Sequence, residues 1–165
     1  MDATCSPIAD WAAGKKAEKI EIWLTRFVRS AGVILFVTSL SKIISTHGHS
    51  KILQVEDPIL HMSFSHLILL AGIIELMISA ICLWTKNLKI GLATITWIAA
   101  VFTVYRSSLV YIHWHKACPC LGNLTDVLHI SPDVASQFMI IITGYLLGGS
   151  IIGWTLLTFK NNDTL

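Results

Sequence analysis

Charge is what this sequence has least of: 13% of its 165 residues, twelve Lys and Arg against ten Asp and Glu. Soluble globular chains carry about 25% charged residues, so a water-facing surface is hard to build from this composition. A net charge of +2 is too small and too scattered for a nucleic-acid partner. Four prolines and ten glycines exclude collagen-like and low-complexity chains, and four cysteines exclude a disulfide-dense secreted scaffold. What is present in excess is apolar, with 54% hydrophobic residues and a mean hydropathy of +0.68. An 18.2 kDa globule cannot hide that much apolar surface. The lipid bilayer is therefore the first partner the sequence implies.

The few charges cut the chain into apolar blocks. Val134 to Phe159 is a run of 26 residues without a charge, longer than the roughly 20 that cross a bilayer as a helix. Between Asp57 and Lys86 the only charge is Glu75, and between Lys89 and Lys116 the only one is Arg106. Arg29 and Lys42 bracket the first block, so a full span there includes a basic residue near its end, where a long side chain can snorkel to the interface. Four spans are expected, near 27–45, 63–84, 90–112 and 135–159. The fold class is an all-α membrane protein, a four-helix transmembrane bundle. Its domain is residues 24–159, between an N-terminal tail of 1–23 and a C-terminal tail of 160–165.

Basic residues outside the spans or at their ends set the orientation. Lys15, Lys16, Lys19, Arg26, Arg29, Lys86, Lys89 and Lys160 fall on one side, eight in all, and Lys51 and Lys116, only two, on the other. Both termini are expected in the cytoplasm, with loops 46–62 and 113–134 outside. Residues 1–20 lack the apolar core of a signal peptide. Gly144 and Gly148, then Gly149 and Gly153, have the small-xxx-small spacing of close helix contacts. Packing inside the bundle is the expected use of both pairs.

The segment His113-Trp114-His115-Lys116-Ala117-Cys118-Pro119-Cys120-Leu121-Gly122 gathers reactive side chains on the outer side, where thiols can stay oxidised. A disulfide needs Cα atoms about 4.4–6.8 Å apart, while extended residues i and i+2 lie about 6.6–7.2 Å apart. Closing Cys118 to Cys120 therefore requires a bend at Pro119, and the small ring would be strained and easily reduced. Lys116 and a protonated His115 would raise the thiolate fraction, and Gly122 permits a turn just beyond. The competing reading is a zinc or copper site of His113, His115, Cys118 and Cys120, a sound donor set for either metal. All seven histidines fall in the outer half, which favours metal, although the longer outer loops also have more room for them.

Two ionisable groups lie inside the second and third spans. An unpaired carboxylate at Glu75 would cost about 2.5–3.5 kcal/mol, so it needs a partner or a proton. Gly72, Glu75, Ser79 and Cys82 share one helical face, expected to point into the bundle. Arg106 is expected to reach toward Glu75 and lock two helices. The functional alternative is a polar end to a cavity beneath the C-x-C loop, serving proton transfer or the head group of a membrane quinone. Cys82 is expected to be a packing residue.

The Ser39-Leu40-Ser41-Lys42 end of the first span, Asp57-Pro58-Ile59-Leu60, Gly72-Ile73-Ile74-Glu75-Leu76 and Cys118-Pro119-Cys120-Leu121-Gly122 occur here in order over residues 24–159. Together they resemble the MauE family of methylamine-utilisation membrane proteins, within the DoxX-like group. The chain departs from that pattern at Leu121, where an aromatic is usual, at Pro119, where Gly is usual, and in its longer N-terminal tail. The resemblance implies a multipass protein of the bacterial inner membrane, its C-x-C loop facing the periplasm. It also implies a thiol-disulfide role toward a thioredoxin-like or cysteine-rich extracytoplasmic partner, with Cys118 and Cys120 as the reacting pair.

Overall fold

A computed structural model describes residues 7–46, 57, 59–112 and 132–162. Four helices account for nearly all of them: α1 Pro7–Ser45, α2 Phe64–Trp84, α3 Leu88–Tyr111 and α4 Pro132–Asn162. No strand occurs among the described residues. Each helix contains a stretch long and apolar enough to cross a membrane, Glu18–Ser45, Phe64–Trp84, Leu88–Tyr111 and Gln137–Phe159. The protein is an all-α bundle of four membrane-spanning helices.

The ends of α2 and α3 agree with the expected spans to within two residues, because both are bounded by the charges that define the apolar blocks. Residues 85–87 alone join them. Asn87 caps α3 by accepting from the Lys89 amide at 3.1 Å, and so short a link makes the two helices antiparallel neighbours. α1 is the exception. It has 39 residues, about 58 Å at 1.5 Å per residue, roughly twice the hydrocarbon thickness. Much of the segment read as a tail is helical. Ala, Glu and Lys between residues 12 and 21 are strong helix formers whatever their polarity, and a search for charge-free runs is blind to them.

The bundle has an apolar core and an apolar outer surface. Its core joins Phe27, Val28, Ala31 and Leu35 of α1 to Ile78 and Cys82 of α2, Leu92, Ile95, Ile98 and Ala99 of α3, and Leu146 of α4. Met77, Val104, Ile141 and other large apolar side chains point outward, each more than half exposed. Lipid satisfies such a surface and water does not. Trp84 and Tyr111 end their helices almost fully exposed, as interfacial aromatic residues do.

α1 packs most extensively on α2, and α4 on α3. Small residues set the first approach: a side chain at Gly72 would meet Ile43 at 3.1 Å and the Ser39 carbonyl at 3.4 Å. Ser79 Oγ crosses the same seam to donate to the Gly32 carbonyl at 2.8 Å. The two small-xxx-small pairs of α4 separate in the structure. Gly149 meets the Phe27 ring and Gly153 meets Leu92 and Leu24, whereas nothing lies within 4 Å of a Cβ built at Gly144 or Gly148. Packing within the bundle thus applies to the second pair and not to the first, which lies on a different side of the helix.

Candidate functional site

The chain leaves α3 at Tyr111 and re-enters α4 at Pro132. His113, His115, Lys116, Cys118, Pro119, Cys120 and Gly122, the residues of the redox and metal readings, lie outside the described residues. The described structure shows the membrane-embedded neighbourhood at the same end of the bundle, formed by the last turns of α1 and α3 and the first turns of α2 and α4.

The polar face expected on α2 is present: Gly72, Glu75, Ser79 and Cys82 are all buried. Glu75 faces α1. Its Oε1 is paired with Lys42 Nζ, and its Oε2 lies 3.2 Å from the Thr38 hydroxyl. That hydroxyl also lies 3.1 Å from the Leu35 carbonyl, so its one proton is shared. The expected partnership with Arg106 is therefore replaced by one with Lys42, and the snorkelling expected of Lys42 does not occur. Lys42 is 4% exposed, and its ammonium also sits 4.7 Å from the centre of the Phe102 ring. The cause is the close seam at Gly72, which brings α1 within reach of the carboxylate. Lys42 and Glu75 neutralise each other where neither can be hydrated.

A second acidic group lies at the loop end. Asp57 is fully buried. Its Oδ1 accepts from the amides of Ile59 and Leu60, each at 2.8 Å, and its Oδ2 accepts from the Tyr105 hydroxyl of α3 at 2.5 Å. The His61 amide donates to the Asp57 carbonyl at 3.0 Å and the Asp57 amide to the Met62 carbonyl at 2.8 Å. The turn this closes holds His61 at φ 52°, a left-handed conformation that His adopts more readily than most side chains. Asp57 thus ties the entry of α2 to α3. The Asp-Pro dipeptide signals the turn, but the Tyr105 contact spans 48 residues and leaves no local trace in the sequence.

Between these two polar clusters lies a cavity of about 210 Å³ with an almost wholly carbon wall. Phe64, Ala71 and Ile74 of α2 line one side, Trp97, Val101 and Phe102 of α3 the other, and Lys42, Tyr105, Arg106 and Leu60 also reach it. Arg106 thus shares a cavity with Lys42. Cys82 lies at the opposite end of α2, buried and with a free thiol, 3.9 Å from Thr94 Oγ1, in the packing role expected of it. Among the described residues no group of three or more His, Cys, Asp or Glu side chains could hold a metal.

The chain matches no protein-family model, no curated protein and no solved structure.

Proposed function

We propose that the protein is a membrane thiol-disulfide redox component, with Cys118 and Cys120 exchanging electrons with an extracytoplasmic partner of the thioredoxin-like or cysteine-rich kind. The observation that carries this reading is the Cys118-Pro119-Cys120 element, flanked by His115 and Lys116, on the side of the membrane that the eight-against-two distribution of basic residues makes external. The MauE resemblance supports it, and with it a place in a bacterial inner membrane with this loop in the periplasm.

In the oxidising direction a partner thiolate attacks the Cys118–Cys120 bond. The S–S bond breaks, a mixed disulfide forms, and the partner's second thiolate displaces it. The partner loses two electrons and two protons, and Cys118 and Cys120 become thiols. Reoxidation passes the same two electrons and two protons to a lipid-soluble acceptor of the quinone class. With a reduced carrier the sequence runs in reverse. His115 and Lys116 hold the attacked pair in a positive field that stabilises the leaving thiolate.

The test is trapping. Cys118→Ser should accumulate a mixed disulfide through Cys120 in membranes, released by reductant and lost in the double Cys118→Ser, Cys120→Ser variant. Absence of any adduct in both single variants overturns the exchange reading. A second reading rests on the four donors His113, His115, Cys118 and Cys120 within eight residues. Stoichiometric zinc or copper in the purified protein, released by both Cys118→Ser and His115→Ala, would establish it instead.

A further inference from the structure

The void between α2 and α3 is not explained by packing. Elsewhere the helices are close enough for a single added Cβ to clash, at Gly91, Gly149 and Gly153. Here a volume of about 210 Å³ is kept open. Three of its lining residues direct their polar atoms elsewhere, Lys42 toward Glu75, the Tyr105 hydroxyl toward Asp57 and the Thr143 hydroxyl to the Met139 carbonyl. What faces the void is carbon, and water gains nothing there, since an ordered water needs two to four polar partners.

Three features define what fits. The first is size: an engineered apolar cavity of about 150 Å³ stays dry and binds benzene, so this one has room for a six-membered ring with small substituents and not for a whole lipid. The second is the wall. Phe64, Trp97, Phe102 and Tyr105 place four aromatic rings around it, surfaces that favour offset or edge contact with another flat ring. The third is the entrance. Leu70, Trp97 and Val101 line the cavity yet are 51%, 56% and 42% exposed on the outside of the bundle, so it opens sideways into hydrocarbon. Among the described residues no carboxylate lines it, so nothing there would pair with a cationic ligand.

We infer that this cavity is a binding site for the flat, uncharged ring of a membrane-dissolved amphiphile, whose apolar tail leaves between α2 and α3 into the bilayer. Isoprenoid quinones are one source of that chemistry and aromatic-headed lipids another. The inference does not rest on the redox reading, because it uses no residue of the C-x-C segment.

Trp97 reports on the site from within its wall. The full chain in detergent would be titrated with a fully substituted decyl-benzoquinone, which quenches indole fluorescence on contact and has no open ring position for thiol addition. A saturable component above linear partitioning is expected, and Trp97→Phe should remove most of its amplitude. Ala71→Phe from α2 and Val101→Phe from α3 each fill the cavity and should weaken the saturable component at least tenfold. Either variant serves if it retains the helical circular dichroism of the parent. Purely linear quenching of the parent overturns the proposal, as does saturation unchanged in every folded filling variant or in Trp97→Phe. Competition separates the sources and the shape. Decylphenol should displace the quinone if any flat ring suffices, whereas its failure to do so narrows the ligand to quinones. Equal displacement by decylcyclohexane removes the claim for a flat ring.

Discussion

The two ends of the bundle are built on different principles. At the end that carries the termini, the helices meet mainly through carbon, with neutral hydrogen bonds such as Ser79 to the Gly32 carbonyl and Trp154 to Thr96 and, among the described residues, no buried charge. Phe27, Val28, Leu92 and Cys82 are buried there, with Gly91, Gly149 and Gly153 leaving no spare volume. At the loop end, within the same four helices, the interior holds Lys42, Glu75 and Asp57, all buried, beside an open cavity. Close packing gains dispersion and apolar contact without any desolvation of charge. A buried ion pair gains little over an apolar pair of similar volume and is costly when broken. The contrast implies that the terminal end is organised for stability, and that the loop end keeps its charges and its void for another purpose.

The sharpest way to break that comparison is at the ion pair. Lys42→Met or Glu75→Leu alone leaves the other member without its counter-charge. Removing one partner of a buried pair costs about 3–5 kcal/mol in soluble cores. A loss of that order is expected in the midpoint of unfolding when each variant is titrated with sodium dodecyl sulfate. The double variant should lose far less than the sum, because it removes the charges together. Additive losses would show that Lys42 and Glu75 are not coupled, and the loop end would then not be held by its charges.

A smaller effect is expected at the terminal end. A Cβ at Gly149 would clash with the Phe27 ring, and that ring is stacked on Trp23 at 5.7 Å and set against Tyr145 at 5.5 Å. It cannot swing aside freely. Gly149→Ala should destabilise by about 1–3 kcal/mol, the range for overpacking. Gly144→Ala, five residues earlier with nothing within 4 Å, should be neutral or slightly stabilising through its better helix propensity. Equal effects at the two positions in the same unfolding titration would contradict the packing described for α4.

Much of this division can be read from the residues, and some cannot, for physical reasons. Charges mark where a helix must leave hydrocarbon, so the ends of α2 and α3 follow from Lys86, Lys89 and their neighbours. A period of 3.6 fixes which residues share a face, so Gly72, Glu75, Ser79 and Cys82 are identified together. Periodicity does not say which helix that face meets. Arg106 and Lys42 are both long basic side chains near the loop end, and only the approach of α1 at Gly72 makes Lys42 the partner. The cavity is still less legible, because a void is a property of four helices at once. The extension of α1 to Pro7 is missed because a helix in water needs no apolar run.

The smallest expected effect tests the link from the loop to the bundle. Tyr105→Phe removes the hydroxyl that donates to Asp57 Oδ2 and leaves the ring, and with it the cavity wall, nearly unchanged. Asp57 Oδ1 keeps both amide donors, from Ile59 and Leu60, so the turn itself should persist. The loss is one hydrogen bond to a buried carboxylate, a class worth about 1.5–3 kcal/mol when fully intramolecular. Water entering from the loop side can replace part of it, and a loss of about 1 kcal/mol is expected. Hydrogen exchange at the Leu60 and His61 amides should quicken in this variant while amides in the α3 segment around Ile95 keep their protection, because the contact ties the turn to α3 without supporting the core. Uniformly faster exchange through α3 would mean that the polar loop end carries the stability assigned here to the carbon-packed end, and the comparison between them would have to be reversed.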